Sequence, residues 1–206
     1  EAQAKGASQV VDWWTMDEET DDMLGNAAVC PAYADAYAAA LASPEAAHFI
    51  ASQMAPFAAA VSKALGTHYS PLGRDGSPSV GHLADCLQVH ACHAQPVPAA
   101  LTPAMRDQAW NLTTTAWTLL QSYNASRVAR LGQGPLLGEV YGQMRAAMEG
   151  AADARKLVVL AGHDTGPIMP TLIDLGVFDD VWCPYASIIL MELWRVGAEG
   201  SGNFSV

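Results

Sequence analysis

The sequence has few charged residues, and few of those are positive. Only 15% of its 206 residues are Asp, Glu, Lys or Arg, and ten Lys and Arg face 21 Asp and Glu, giving a net charge of −11. Because nucleic-acid binding relies on Lys and Arg to neutralise phosphates, we expect no nucleic-acid partner. An acidic chain also repels phosphate esters at long range, so a site for such an anion needs cations close by.

Cysteines and long apolar runs are scarce as well. The four cysteines are too few to define a disulfide scaffold. No apolar stretch approaches the roughly eighteen residues that a membrane-spanning helix needs. Three Asn-x-Ser/Thr sequons, which are more than chance predicts, favour a glycosylated protein that is secreted, lysosomal, vacuolar or on the cell surface. The sequons lie at Asn111, Asn124 and Asn203. The chain opens with Glu1 and not Met, so we expect its true start to lie upstream.

Helical signals dominate the first 150 residues. The segment Ser43-Pro44-Glu45 provides an N-cap, a first-turn proline and a first-turn acid, and predicts a helix over 44–65. Similar signals predict helices over 31–41, 78–90 and 103–123. Gly132 and Gly134 are expected to end this helical region, and Pro135 to open a further helix that closes at Gly150.

Two clusters contain metal-ligand residue types without the usual spacing. The acidic run 17–22 lacks the alternating Asp pattern of a calcium loop, which favours a solvated surface. His90, Cys92 and His93 stand together without a distant second pair, so a loop after a helix is the better interpretation than a zinc site. We therefore expect no metal ion in either cluster.

The stretch from Leu157 to Thr165 organises the rest of the chain. Residues 157–161 are all aliphatic, which predicts a strand buried on both faces, and Gly162 then ends the run. His163 and Asp164 would follow at the carboxyl end of this strand, where open α/β sheets place their ligands. An imidazole beside a carboxyl group can hold an anion and protonate a leaving group.

A second signal follows about twenty residues later. The segment 184–187, Pro-Tyr-Ala-Ser, precedes another apolar run over 188–196. A strand, a Gly-His-Asp-Thr loop, a short helix and then Pro-Tyr-Ala-Ser before a second strand resemble the histidine acid phosphatase family, the two-domain branch of the histidine phosphatases. Cys30-Pro31 with the helices after it fits the same family. Between the two signals, Pro167 and Pro170 predict a helix that starts late or has a loosened first turn.

The resemblance implies an α/β fold made of an incomplete histidine-phosphatase-like three-layer sheet domain with a helical insert, or cap, domain. It assigns residues 1–29 and 135–206 to the sheet domain and 30–134 to the insert. Strands are expected over 157–161 and 187–195. A helix over 157–161 would contradict the family assignment.

The resemblance also implies the chemistry. Asp164 matches the proton donor and His163 matches a histidine that binds the substrate phosphate. The family's Arg-His-Gly-x-Arg segment, which carries the nucleophilic histidine, is absent, as is its Asp-x-x-Arg-Thr segment. The resemblance thus implies that the parent protein hydrolyses a small phosphomonoester through a phosphohistidine and requires no metal or organic cofactor. This chain alone should be inactive and need a complementary amino-terminal segment. The resemblance leaves open whether the protein forms a homodimer. It also leaves open two other functions, an inactive phosphatase-fold binding protein and an inositol-phosphate or phytase-type enzyme.

The cysteines are interpreted through the same resemblance. It implies that Cys183 pairs with Cys86 or Cys92, and that Cys30 is left free because its family partner lies beyond Val206.

Overall fold

The computed structural model describes residues 13–197 and 203–206, and helices make up most of this architecture. None of the described helices is both long enough and apolar enough to cross a membrane. The helices are α1 Pro31–Leu41, α2 Pro44–Phe49, α3 Ala55–Leu65, α4 Val80–Cys92, α5 Pro103–Gln121, α6 Tyr123–Met148 and α7 Met169–Asp174. A π-helical turn, Ile50–Met54, joins α2 to α3, so one helical run covers the predicted 44–65.

The helix starts follow the predicted caps, with one shift. The side-chain oxygens of Ser43 and Thr102 accept the N–H groups of Ala46 and Met105, each at 3.2 Å. The α4 helix starts two residues later than predicted, because Ser79 and not Ser77 forms its N-cap. Ser77 is not available for this role, since its hydroxyl donates to Asp75 at 2.6 Å.

The α6 helix does not break where the glycines and proline predicted. It runs from Tyr123 to Met148 through Pro135. Gly132 has helical geometry there, and its missing side chain permits a close approach of α1: an added Cβ would stand 3.1 Å from Tyr33 Cε2. This glycine therefore packs two helices together instead of ending one. The proposed domain boundary at 134/135 stays a prediction.

Two apolar clusters hold the helices together. The first joins the α2–α3 run, α4 and α5, and its fully buried side chains include Met54, Val61 and Val80. The second joins α1, α2, α5 and α6 around Ala40 and Val128. The short helix α7 packs on α6 through Met169, which is also fully buried.

The region after α6 has little regular structure. Residues 157–161 belong to no helix and no strand, and Leu157 to Leu160 are exposed, so the predicted buried strand is wrong for this structure. Its physical reason is that a strand needs a neighbour to satisfy its N–H and C=O groups. The described residues provide 157–161 with no such neighbour.

The second predicted strand is shorter than expected. Only Trp194–Val196 forms a strand, β1, and it pairs antiparallel with β2, Asn203–Ser205, in the one sheet of the described residues. Residues 187–193 are not in a strand. The three-layer sheet domain therefore stays a prediction. The helix after the motif has the loosened first turn that its prolines allowed: Asp164–Ile168 is π-helical and precedes α7, and Gly176 follows at a φ of +71°.

Candidate functional site

His163 and Asp164 lie where an extended segment enters a helix. His163 has extended backbone, with φ −93° and ψ 164°, and Asp164 starts the π-helical turn. The His163 carbonyl accepts the N–H of Ile168 at 3.3 Å. Gly162 makes this entry possible, because a Cβ added there would overlap the Pro167 ring and stand 2.6 Å from its Cδ. The chain therefore places the imidazole and the carboxyl group on consecutive residues at a fixed bend.

Both carboxylate oxygens of Asp164 accept a hydrogen bond. Oδ1 accepts the backbone N–H of Thr165 at 2.8 Å, and Oδ2 accepts the indole N–H of Trp182 at 2.6 Å. Asp164 is half-buried, whereas His163 is exposed. Within the described residues, the His163 imidazole makes no hydrogen bond and no ion pair, which leaves its ring nitrogens free for a ligand. The carboxyl group is therefore oriented and the imidazole is accessible.

Trp182 connects the motif to the helical region. Its ring lies 5.4 Å from that of Trp110 on α5, centroid to centroid, in a tilted arrangement. A second link lies nearby, where the Tyr185 hydroxyl donates to Asp85 on α4 at 3.3 Å. Trp182 was not among the predicted site residues. No local signal marks a residue eighteen positions away as the partner of Asp164.

The cysteines give neither the predicted disulfide nor a nucleophile. All four are free thiols, with Cys183 buried and both Cys86 and Cys92 exposed, so the predicted pairing of Cys183 is not present. Burial raises the pKa of the Cys183 thiol, and the Asp164 and Asp179 carboxylates raise it further. A thiol in such surroundings stays protonated and is a poor nucleophile.

The described histidines outside the motif offer no substitute for the nucleophile. The N–H of Ser79 donates to His82 Nδ1 in the α4 cap, and His68 Nε2 lies 3.1 Å from an Asp75 oxygen. His90 Nδ1 lies 2.9 Å from the Pro96 carbonyl. None of the chain's histidines follows an arginine.

The remaining predicted sites are separate from the motif. Asn111 is exposed on α5, and Asn124 is exposed in a run of three left-handed residues at the start of α6. Asn203 is the first residue of β2, and its side chain lies outside the described part. In that part, no group of three His, Cys, Asp or Glu side chains is arranged to hold a metal ion.

Comparison with known proteins links the chain to a phosphatase only coarsely. No protein-family model matches the chain, and no solved structure matches it. It is 28% identical over 180 residues to Counting factor 60 of Dictyostelium discoideum, which covers 87% of this chain and 40% of that protein. It is also 36% identical over 69 residues to lysophosphatidic acid phosphatase type 6 of Pongo abelii, which covers 32% of this chain and 16% of that protein. The chain thus spans two fifths or less of these relatives.

Proposed function

We propose that this chain carries the proton-donating part of a histidine acid phosphatase site that hydrolyses phosphomonoesters. One observation carries the proposal: Asp164 is half-buried and hydrogen-bonded through both oxygens, directly beside the accessible imidazole of His163. The local similarity to a phosphatase supports the same chemistry. Asp164 is the proton donor in this proposal, His163 binds the phosphate, and Trp182 orients Asp164.

The proposed reaction has two steps. A nucleophilic histidine supplied from outside these 206 residues attacks phosphorus, and the bond from phosphorus to the leaving oxygen breaks. Asp164 gives that oxygen its proton, so the alcohol departs neutral. Water then attacks phosphorus and gives a proton to the Asp164 carboxylate, the bond from phosphorus to the histidine nitrogen breaks, and inorganic phosphate is released. Catalysis of this kind depends on donors placed around the phosphoryl oxygens, which is the role proposed for His163.

The test compares two leaving groups in the protein expressed from its complete coding sequence. We expect Asp164→Asn to slow hydrolysis of an alkyl phosphate by about 10²-fold or more, because an alkoxide needs the proton. Hydrolysis of p-nitrophenyl phosphate should fall much less, and KM should change little for either substrate. Equal losses on both substrates would show that Asp164 is not the acid.

The 206-residue chain alone serves as the matched control. Since it contains no Arg-His-Gly segment, we expect it to release no phosphate from p-nitrophenyl phosphate at about pH 4 to 6, where imidazole is largely protonated. Turnover that survives purification and is abolished by His163→Ala would contradict the absence of a nucleophile from this chain.

A second candidate function is a binding protein of phosphatase type without turnover. It is consistent with the 206 residues themselves, which contain neither arginine-containing segment. It predicts that the protein from the complete coding sequence also lacks Arg-His-Gly-x-Arg and binds a phosphomonoester without hydrolysing it. This candidate would be eliminated if that protein released phosphate from alkyl phosphates and the Asp164→Asn variant did not.

A further inference from the structure

A groove between the end of α4 and the start of α5 contains an arginine without a partner. The groove has a volume of about 590 Å³, and Leu87, Val97 and Trp110 provide its apolar walls. This volume lies within the range typical of small-molecule sites, roughly 300–1,000 Å³. Arg106 lines the same groove, so a charged group stands beside an apolar surface.

Arg106 is the feature that indicates a ligand. Its Nε is buried and has no hydrogen-bond partner, and the guanidinium makes no ion pair within residues 13–197 and 203–206. A buried N–H without an acceptor is costly, and native proteins leave few of them. A guanidinium binds carboxylate and phosphate oxygens through parallel hydrogen bonds, so an anionic group in the groove would pair with Arg106.

Two other titratable groups line the groove. His90 lies 2.9 Å from the Pro96 carbonyl through Nδ1, which must therefore be the donor, and Nε2 has no partner in the described part of the chain. Asp107 is exposed and forms no ion pair with Arg106. Its carboxylate therefore repels an anion in the groove but does not neutralise the Arg106 guanidinium. The groove therefore presents one guanidinium and one imidazole with a free Nε2 beside this single carboxylate.

We propose that the groove is a binding site for a small organic anion with an apolar body, whose acidic group pairs with Arg106 and whose body lies against Trp110. The site is distinct from His163 and Asp164, and it does not depend on phosphatase turnover. The two sites share one contact, because the Trp110 ring packs on Trp182, which donates to Asp164. A ligand in the groove would therefore contact Trp110, whose ring packs on the indole that donates to Asp164.

Titration of the full chain with 4-phenylbutanoate tests the charge requirement. Binding is followed by calorimetry and by the NMR signal of the Trp110 indole N–H, assigned through Trp110→Phe. We expect saturable binding that shifts this signal, and at least tenfold weaker binding of the neutral 4-phenylbutanamide, because the amide forms no charge-assisted pair with Arg106. Equal binding of the acid and the amide would overturn the proposal. So would tighter binding of inorganic phosphate at this groove than of 4-phenylbutanoate, since phosphate has no apolar body.

Substitutions at two neighbouring positions provide the matched pair. Arg106→Gln should weaken binding of 4-phenylbutanoate about tenfold or more, whereas Asp107→Asn should tighten it, since it removes the opposing charge. Asp107 is exposed, so its variant is expected to fold and keeps the test valid if Arg106→Gln does not. Unchanged affinity in both variants would overturn the proposal even if the ligand binds elsewhere on the chain.

Discussion

The helical region, residues 31–148, and the segment after it, residues 151–197, use apolar side chains in opposite ways. Almost all buried apolar residues of the described chain lie in the helical region, and only Met169, Pro170, Ile173 and Cys183 lie beyond it. The later segment instead exposes most of residues 157–160 and 188–196. The difference has one physical cause. A helix satisfies its own backbone N–H and C=O groups, whereas a strand depends on a neighbouring strand to do so. Apolar sequence alone therefore does not ensure burial.

The largest expected effect compares a core residue with an apolar residue of the later segment. Phe57 is 4% exposed in the first apolar cluster, and Leu157 is 78% exposed. We expect Phe57→Ala to lower the free energy of unfolding by about 3–5 kcal/mol, because it removes buried surface and leaves a cavity. Leu157→Ala should change it by less than about 0.5 kcal/mol. Denaturant unfolding of both variants measures the contrast, and a large loss in Leu157→Ala would show that the segment is packed.

Trp182 is where the later segment is attached to the helical region. Trp182→Phe keeps an aromatic ring beside Trp110 but removes the N–H that donates to Asp164. A hydrogen bond to a charged group contributes about 1.5–3 kcal/mol, and we expect a loss of that order in unfolding free energy. The same substitution in an Asp164→Asn background should cost less, since the charged acceptor is already absent. Full additivity of the two changes would contradict the pairing.

The bend before the motif gives a smaller effect with a clear control. At Gly162 an added Cβ overlaps the Pro167 ring, whereas at Gly138 in α6 it meets nothing within 4 Å. We expect Gly162→Ala to destabilise the chain by about 1–3 kcal/mol through overpacking. Gly138→Ala should stabilise it by up to about 1 kcal/mol through helix propensity. Thermal unfolding measures the stability of both variants. A smaller loss of stability in Gly162→Ala than in the control variant would contradict the close contact with Pro167.

The smallest effect concerns Asp174, where α7 meets α6. Burial raises the pKa of Asp174, and the Arg130 guanidinium, whose Nε lies 3.9 Å from Oδ1, offsets part of that rise. A folded-state pKa above the unfolded value means that this carboxyl favours folding below the unfolded pKa, and that the contribution is lost as pH rises through the folded one.

Asp174→Asn should remove this pH dependence and stabilise the chain near pH 7 by less than about 1 kcal/mol. Unfolding curves at about pH 4 and pH 7 measure it, since this interval spans the titration of a carboxyl whose pKa is raised. Arg130→Gln is the matched control and should enlarge the pH dependence. If Asp174→Asn were less stable than the parent at pH 7 but not at pH 4, folding would lower the pKa of Asp174 and not raise it.

Local signals predicted the helices well and the site only in part. The caps at Ser43 and Thr102 depend on atoms within three residues, so the sequence reveals them. The pairing of His163 with Asp164 is visible for the same reason. The Trp182 contact to Asp164 joins residues eighteen apart, and its contact to Trp110 joins residues much farther apart, so neither has a local signature.

The sequence by itself determined the starts of α1, α2 and α5, the acidic balance and the adjacency of an imidazole and a carboxyl group after a glycine. These properties follow from composition and from interactions within one helical turn. Only the tertiary structure decided that α6 passes through Pro135, that residues 157–161 stay exposed, and that the cysteines remain free thiols. Each of these outcomes depends on which distant segment lies beside the residue, and a neighbour in space is not encoded in any single stretch of the chain.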